Sequence, residues 1–230
     1  MTIKEKLDII NYNIEKSVEK SGRDISEITV LPVSKRKTPD EIRSALALGF
    51  DKIGENYVQE LLPKYDELKN EVKEFHFIGH LQSNKVKYII DKVSLIHSVD
   101  SLTLLKEINK RAGGIGKIQD VLLEVNYVGE QSKTGADKNC ALEMLEHAHE
   151  FENVRIKGLM TMPPAYYDED EVRKVFASFR EFYEKLGARD FGSNVKFSVL
   201  SMGMSGDYPI AVENGATIVR IGTALFGKRD

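Results

Sequence analysis

The first twenty residues alternate polar and apolar positions at helical spacing. Ile3, Leu7, Ile10, Ile14 and Val18 fall three or four residues apart, with polar residues between them. This spacing places all five side chains on one face of a helix. We therefore predict an amphipathic helix that precedes the first strand.

From Ile28 onward, short apolar runs alternate with longer stretches of helical periodicity. Short apolar runs bounded by turn residues are typical of buried strands. Eight runs of this kind follow one another along the chain. The predicted strands are Ile28–Ser34, Lys52–Gly54, Phe75–Ile78, Leu95–Val99, Asp120–Asn126, Arg155–Thr161, Phe197–Ser201 and Thr217–Ile221.

Helical patterns separate these strands. They occupy Asp40–Leu48, Val58–Lys69, Lys85–Ile90, Leu102–Arg111, Cys140–His149, Glu169–Leu186 and Ile210–Asn214. Eight β/α units predict an α/β protein with a closed (β/α)₈ TIM barrel. An open doubly wound sheet is the alternative, but no Gly-x-Gly-x-x-Gly motif follows the first strand. We predict one barrel domain over residues 1–230, with an extra N-terminal helix and no C-terminal β domain.

Composition limits the class of partner. The 230 residues carry 33 Lys and Arg against 36 Asp and Glu, a formal net charge of -3. This charge gives no electrostatic footprint for nucleic acid or for an anionic membrane. Residues Met1–Leu7 lack the apolar segment of a signal peptide, and no apolar run approaches the ~20 residues of a membrane span. With Cys140 as its one cysteine, the chain forms no intrachain disulfide, and we expect a cytoplasmic protein.

A lysine, Lys35, ends the first predicted strand and is followed at once by Arg36 and Lys37. An amine held at the rim of a buried sheet, beside other cations, has a depressed pKa and becomes nucleophilic toward carbonyls. That description fits a Schiff-base lysine. A lysine just past a strand is more often a solvated loop residue, so this segment alone leaves both interpretations open.

Glycine and hydroxyl residues follow the last two predicted strands. The loop Ser201–Asp207 reads Ser-Met-Gly-Met-Ser-Gly-Asp, and Gly222, Thr223 and Ala224 follow the eighth strand. In TIM barrels the loops after strands seven and eight often hold phosphate, and glycine lets backbone N–H groups approach an anion. A tight turn with Asp207 as the cap of the next helix explains either loop alone. Two such loops at the expected positions favour a phosphate site.

Arg220 lies inside the otherwise apolar eighth strand. A buried charge is costly unless it is paired or meets a ligand. Two interpretations stay open at this point. One is a buried ion pair with Glu124 or Glu55, each near a strand end, and the other is a contact to an anionic or heteroaromatic cofactor.

Polar residues at other strand ends carry weaker signals. Asn56 follows the second strand, where loop or helix-cap chemistry is enough to explain it. His147 and His149 are two residues apart and do not share a helix face. His76 and His80 flank the end of the third strand without a third ligand at suitable spacing. We predict no metal site.

Six segments are specific in combination, above all the lysine, the Ser-Met-Gly-Met-Ser run and the Arg-Ile-Gly run. The segments are Val33–Lys35, Gly54–Asn56, His76–Lys85, Gly158–Met162, Ser201–Asp207 and Val219–Gly222. Together they resemble the YggS/PROSC family of pyridoxal phosphate homeostasis proteins. The resemblance runs from the first predicted strand to the last.

This resemblance implies a barrel of the alanine racemase N-terminal type, fold type III among proteins that use pyridoxal 5′-phosphate (PLP). By this similarity Lys35 is the Schiff-base residue, and Asn56 and Met204 lie near the cofactor ring. Arg220 would reach the cofactor at its phosphate or at its ring nitrogen. The residues implied around the phosphate are Ser201, Ser205, Gly222 and Thr223.

The resemblance also implies a role in vitamin B6 and amino-/keto-acid homeostasis, without an established reaction. Racemases of the related fold need a second acid/base, typically a tyrosine delivered from a C-terminal domain. Because we predict no C-terminal domain of this kind here, we expect a monomeric PLP carrier with apo PLP enzymes as further partners. The alternative is a PLP-dependent enzyme with weak racemase activity that uses Tyr57, His80 or another residue at the barrel mouth as its second base. A third possibility is a phosphosugar-binding barrel enzyme that uses Lys35 on a carbonyl substrate.

Overall fold

Eight parallel strands form one sheet in the part of the chain that the structure, a computed structural model, describes: residues 1–129, 134–164 and 166–227. The strands are β1 (Thr29–Pro32), β2 (Lys52–Glu55), β3 (Glu74–Phe77), β4 (Leu95–Val99), β5 (Gln119–Glu124), β6 (Val154–Met160), β7 (Val195–Met204) and β8 (Ile218–Ile221). Each lies where the sequence predicts a strand. The bounds agree within two residues except at the end of β7.

Helices lie between the strands, one precedes the first strand and one follows the last. They are α1 (Ile3–Ser21), α2 (Pro39–Leu46), α3 (Val58–Leu68), α4 (Val86–Ile89), α5 (Leu102–Gly113), α6 (Lys138–Glu146), α7 (Glu169–Gly187), α8 (Tyr208–Glu213) and α9 (Thr223–Phe226). The predicted N-terminal helix is therefore confirmed. Capping boxes begin α1, α2 and α7, since Thr2, Thr38 and Asp168 each exchange hydrogen bonds with a glutamate three residues later.

The strand order shows how the sheet becomes a barrel. The order is β1-β8-β7-β6-β5-β4-β3-β2, with neighbouring strands paired in parallel. Between β1 and β2, Val33 and Gly54 form a parallel bridge, and the N–H of Ser34 donates to the carbonyl of Gly54 at 2.9 Å. This seam brings the two ends of the sheet together, so the predicted TIM barrel is confirmed. Lys35 follows the seam directly.

The strands present two faces, one to the helices and one to the barrel axis. A cluster of Leu31, Val33, Leu95, Ile218 and other buried side chains is separate from the larger core that includes the helices. Residues two apart share a face of a strand. Polar residues two positions from apolar members of this inner cluster therefore also face the axis. Such polar residues include His76, His97 and Arg220.

Strand β7 runs three residues further than predicted, to Met204. Gly203 adopts a φ of +91°, and the register with β8 shifts between Ser201 and Met204. A glycine in this conformation continues a strand through a bulge instead of ending it. The extension carries Met204 and Ser205 to the carboxyl end of the barrel.

Two further observations complete the fold. Among the helices of the described residues, none is both long and apolar enough to cross a membrane. The last three positions of the predicted domain, 228–230, lie outside the described residues.

Candidate functional site

The turn that carries Lys35 has a fixed shape. Arg36 adopts a φ of +59°, and the N–H of Lys37 donates to the carbonyl of Ser34 at 3.0 Å. A non-glycine residue in the left-handed region is uncommon, and it persists where surrounding contacts hold it. Lys35 is half-buried within this turn, so it is not the fully solvated loop residue that was one of the two interpretations of the sequence.

A buried ammonium group anchors the turn from below. Lys64, on α3, donates to the carbonyl of Ser34 at 2.6 Å, to Glu55 at 2.6 Å and to Glu60 at 3.0 Å. Glu60 also accepts the N–H of Arg36 at 2.5 Å. The carboxylates of Glu55 and Glu60 and the amine of Lys64 thus fix the backbone on both sides of Lys35.

Glu55 belongs to this anchor and not to Arg220. Its carboxylate is fully buried, pairs with Lys64 and accepts the hydroxyl of Ser34 at 2.5 Å. Burial raises the pKa of Glu55, while Lys64 acts in the opposite direction. The possible ion pair between Glu55 and Arg220 is wrong, because the Glu55 side chain faces α3 on the other side of the sheet.

The loops after β7 and β8 meet through a single hydroxyl. The Oγ of Ser205 accepts the backbone N–H of Gly222 at 3.2 Å and that of Ala224 at 3.1 Å. Two backbone donors from one loop therefore converge on one oxygen atom of the other loop. The predicted convergence of the two loops is confirmed.

Asp207 does not cap α8 with its side chain. It occupies the N-cap position, but its carboxylate accepts the N–H of Met204 at 2.5 Å instead of a helix N–H. Burial raises the pKa of Asp207, while this hydrogen bond and the charge of Arg220 lower it. The carboxylate therefore closes the turn Met204–Asp207 and keeps Met204 and Ser205 in place.

Arg220 is buried among neutral hydrogen-bond partners. Its Nη1 donates to the hydroxyl of Ser201 at 2.6 Å, and its Nη2 donates to the carbonyl of Thr161 at 3.0 Å. Across the described residues no ion pair joins it to Glu124, whose carboxylate accepts the hydroxyl of Thr134 at 2.8 Å. Burial lowers the pKa of Arg220 to about 10, so the guanidinium stays charged at neutral pH.

A cavity of about 280 Å³ at the carboxyl end of the strands joins these parts. The described residues that line it are Val33, Lys35, Asn56, Ile78, Met162, Met204, Ser205, Gly206, Arg220, Gly222 and Thr223. Seven of the eight predicted cofactor-binding residues are in this lining. The eighth, Ser201, is fully buried and lies behind Arg220 instead of in the cavity wall.

Four lining residues were not among the predicted contacts: Val33, Ile78, Met162 and Gly206. Three of them are apolar residues at or just beyond a strand end, where side chains of a barrel reach the mouth. Their position at the ends of predicted strands could have identified them as lining residues from the sequence. Gly206 lies in the loop already singled out for phosphate.

Asn56 lines the cavity and carries a buried acceptor without a partner in the described residues. Its Oδ1 is buried and has no hydrogen-bond partner among the described residues. The backbone of Asn56 is packed closely against Gly79, where an added Cβ would lie 2.1 Å from the carbonyl oxygen of Asn56. A buried acceptor left without a donor is costly, and a ligand donor is one way to satisfy it.

The two candidate second bases lie elsewhere. Neither Tyr57 nor His80 is among the described residues that line the cavity. Tyr57 is about half exposed, and the Nδ1 of His80 lies 3.5 Å from the carboxylate of Asp100. The geometry places no tyrosine or histidine of the described residues in the cavity wall opposite Lys35.

The fold and the lysine-bearing cavity define a barrel of the alanine racemase class. The sequence model of the family described as alanine racemase, N-terminal domain, matches residues 6–230. The pyridoxal phosphate homeostasis protein of Aquifex aeolicus is 46% identical over 225 residues, covering 98% of this chain and 97% of that protein. The protein of the same name from Pseudomonas aeruginosa is 37% identical over 230 residues, covering 100% and 96%.

A solved structure agrees with this assignment. PipY of Synechococcus elongatus PCC7942, solved with PLP bound, superposes with a TM-score of 0.84 at 32% identity, covering 98% of this chain and 100% of that one. The chain therefore belongs to the family of pyridoxal phosphate homeostasis proteins, the YggS/PROSC family.

Proposed function

We propose that this chain binds PLP, carries it as a Schiff base on Lys35 and acts in intracellular PLP (vitamin B6) homeostasis and amino-/keto-acid balance. One observation carries the proposal. A single cavity brings Lys35 together with Ser205, Gly222 and Arg220, which come from the neighbouring strands β7 and β8 and the loops after them. A lysine alone cannot retain a small aldehyde, whereas a lysine and an anion cradle in one cavity can hold both ends of it.

The residues present fit the phosphate of PLP. The N–H groups of Gly222 and Ala224 already converge on an oxygen atom, the hydroxyl of Ser205. Because Ser205 accepts from both, its own O–H is available to donate to a phosphate oxygen. Backbone N–H groups in such concave loops are a common way to hold phosphate.

The residues also fit the ring. Ile78, Met162 and Met204 supply apolar surface in the cavity lining, which suits a planar heteroaromatic ring. Asn56, whose buried Oδ1 has no partner among the described residues, belongs to the same lining. Arg220 uses two of its five N–H donors on described residues, and its place in the lining makes the others available to the phosphate or to the ring nitrogen.

When bound, PLP supplies an aldehyde that can exchange between amines. The chain's own residues then fix the geometry. The anchored turn holds Lys35 in the cavity, and the loops Ser201–Asp207 and Gly222–Ala224 hold the phosphate. Stereospecific proton transfer needs a second acid/base within reach of the substrate carbon. The positions of Tyr57 and His80 outside the cavity wall favour the carrier over the racemase.

The test of cofactor attachment uses two lysine variants of one turn. We expect wild-type protein loaded with PLP to be yellow, and borohydride to fix the cofactor to a peptide that contains Lys35. Lys35→Ala should lose the visible band. Lys37→Ala should keep it, because the ammonium of Lys37 pairs with Glu41 at 2.8 Å. An unchanged band in Lys35→Ala overturns the proposal, and a protein that binds phosphosugars but stays colourless with PLP supports the third possibility instead.

The carrier and the enzyme differ in turnover. Sustained exchange of the Cα proton of amino acids, faster than with free PLP, would replace the carrier by the racemase. We also propose that the protein is a monomer that gives PLP to apo PLP enzymes, a role that fits the name of its relatives. Sedimentation gives the oligomeric state, and reactivation of an apo PLP enzyme by loaded protein, faster than by free PLP at equal concentration, tests delivery.

A further inference from the structure

A chain of buried hydrogen bonds leads from Arg220 into the barrel interior. Nη1 of Arg220 lies 2.6 Å from the Oγ of Ser201, which lies 3.0 Å from Nδ1 of His97. Nε2 of His97 lies 3.1 Å from Nδ1 of His76, whose Nε2 lies 3.3 Å from the carboxylate of Glu74. We call these five residues the axial chain.

With both imidazoles neutral, the chemistry of the two ends gives every bond one direction. Arg220 can only donate, so the Ser201 oxygen accepts from it, and the O–H of Ser201 can turn toward Nδ1 of His97. Glu74 as a carboxylate can only accept, so His76 carries its proton on Nε2 and accepts at Nδ1 from the Nε2–H of His97. Both rings are then Nε2–H tautomers, and all donors point from Arg220 toward Glu74.

The charges around the axial chain agree with this polarity. Burial lowers the pKa of His97 well below its ordinary value, and the charge of Arg220 adds to that effect. The hydrogen bond from His76 and the ion pair with Lys52 lower the pKa of Glu74 to about 2. Both shifts favour a neutral His97 and an ionised Glu74 near neutral pH.

The axial chain joins opposite ends of the barrel. Glu74 is the first residue of β3 and pairs in register with Lys52, the first residue of β2, at the end where the strands begin. His97 and Ser201 are fully buried in β4 and β7. Arg220 lines the cavity at the end where the strands finish. The bonds thus cross the interior from the amino end of the sheet to the cavity.

We propose that Ser201, His97 and His76 are positioning residues that hold the Arg220 guanidinium in one orientation, with its remaining N–H donors directed into the cavity. Ser201 takes one donor of Nη1 and the carbonyl of Thr161 takes one of Nη2. Two fixed acceptors at different nitrogens define the plane of a guanidinium. Ser201 therefore acts on the ligand through Arg220 and makes no contact with it.

Burial of polar groups at this position needs a reason beyond packing. Neutral imidazoles and a hydroxyl in a barrel interior are costly unless every member is bonded, and an apolar core would fill the same space without that cost. A fully bonded chain gives a fixed geometry in return. In this barrel the group held in a fixed geometry is the guanidinium of Arg220 in the cavity lining.

The first test needs no cofactor. Nitrogen-15 NMR of the protein without PLP should show both His76 and His97 as neutral Nε2–H tautomers at neutral pH. The guanidinium of Arg220 should give separate Nη signals, because its rotation is restrained at both ends. An Nδ1–H tautomer or an imidazolium at His97, or a freely rotating Arg220 guanidinium, overturns the inference.

The second test compares two buried serines and rests on the proposed PLP binding. Ser201→Ala interrupts the axial chain, whereas Ser98→Ala removes a buried hydroxyl of β4 that has no partner among the described residues. We expect Ser201→Ala to merge the Arg220 Nη signals and weaken PLP binding about tenfold, the size of one to two buried hydrogen bonds. Ser98→Ala should change neither quantity.

A variant of the next residue separates the axial chain from direct contact by Ser201. His97→Phe removes both imidazole bonds and should weaken PLP binding about as much as Ser201→Ala. The double variant should be no weaker than the weaker single one, because both changes break one chain. If His97→Phe fails to fold, Ser201→Ala with its NMR signals still decides.

The outcomes separate this inference from the proposed function. Additive losses in the double variant, or full PLP affinity in Ser201→Ala and His97→Phe, overturn the positioning role. Absence of PLP binding by the wild-type protein instead overturns the proposed function, while the tautomers and the Arg220 signals still confirm or overturn the axial chain.

Discussion

The ammonium of Lys64 lies 2.6 Å from the carboxylate of Glu55, directly beneath the turn that carries Lys35. Lys64 has three N–H donors, and it meets three acceptors: Glu55, Glu60 and the carbonyl of Ser34. A fully bonded, paired ammonium is a poor nucleophile. The arrangement therefore leaves Lys35 as the lysine of this turn that lines the cavity and can react with an aldehyde there.

Removal of the Lys64 charge should destabilise the protein strongly. Lys64→Met leaves the buried carboxylate of Glu55 without its cation, and breaking a buried pair in this way costs about 3–5 kcal/mol. Urea unfolding measures the loss. Lys16→Met is the control, because Lys16 pairs with Glu19 on the exposed surface of α1 and such pairs contribute about 0–1 kcal/mol. Equal stability of the two variants would contradict the anchoring role.

Loss of the Ser205 hydroxyl should affect the phosphate end of the ligand only. A hydrogen bond to a charged group contributes about 1.5–3 kcal/mol, so Ser205→Ala should weaken PLP binding roughly 10- to 150-fold. Pyridoxal, which lacks the phosphate, should react with Lys35 equally well in the variant and in the wild type. Titrations followed by the visible band give both affinities. A parallel loss for pyridoxal would place Ser205 at the ring instead.

Two glycines of one loop should respond differently to alanine. Gly203 has a φ of +91°, and an added Cβ would lie 2.5 Å from the Cβ of Ala211. The left-handed backbone and the overpacking together predict a loss of about 2–5 kcal/mol for Gly203→Ala. At Gly206 no heavy atom lies within 4 Å of an added Cβ, so Gly206→Ala should unfold at the wild-type urea concentration. Similar urea midpoints for the two variants would show that the bulge at the end of β7 can accommodate a side chain.

Replacement of Arg220 should identify which part of PLP it contacts. Arg220→Gln removes the cation without breaking a direct ion pair, since its hydrogen-bond partners in the described residues are the Ser201 hydroxyl and the Thr161 carbonyl. We expect a loss of PLP affinity of tenfold or more with the fold retained, measured by titration and by circular dichroism. A loss for PLP alone assigns Arg220 to the phosphate, and an equal loss for pyridoxal assigns it to the ring. Unchanged retention assigns it a structural role only.

The periodicity of the sequence was sufficient to predict the barrel. Strand β4 was predicted with its exact bounds, because Leu95–Val99 is an apolar run between clear helical patterns. Strand β7 was predicted to end too early, at Ser201. A glycine normally marks a turn, and the conformation of Gly203 depends on its packing against α8. Strand bounds that depend on tertiary contacts cannot be predicted from the local sequence alone.

The cavity was predictable because barrels place strand ends together, which brought Lys35, Ser205 and Gly222 to one site. The partners of buried groups were not predictable. Glu55 and Arg220 both lie near strand ends, yet their side chains face opposite sides of the sheet, one toward Lys64 and one toward the axis. A shift of one residue along a strand reverses the face, so an ion pair inferred from strand position alone was wrong.

The pH dependence of stability should report the buried His97. In the folded protein its pKa is well below the ordinary value of 6.5, mainly through burial, whereas in the unfolded chain it titrates near 6.5. Below that pH the unfolded state binds a proton that the folded state refuses, so stability falls as the pH falls. Glu74, with a folded pKa of about 2 against 4.5 unfolded, loses its own contribution only below pH 4.5. Carboxyl groups whose pKa burial raises, such as Glu55 and Asp207, also contribute to the pH dependence, so the histidine is read from the difference between the wild type and His97→Phe between about pH 6.5 and 4.5.

In that interval one proton changes the free energy of unfolding by up to about 1.4 kcal/mol per pH unit. Urea unfolding of the wild type and of His97→Phe, measured in steps of pH, should show a shallower decline for the variant by up to this slope. Ser98→Ala, on the same strand, removes no titratable group and should keep the wild-type slope. Equal slopes for the wild type and His97→Phe would mean that His97 takes up a proton in the folded barrel, against the effects of its burial and of the charge of Arg220.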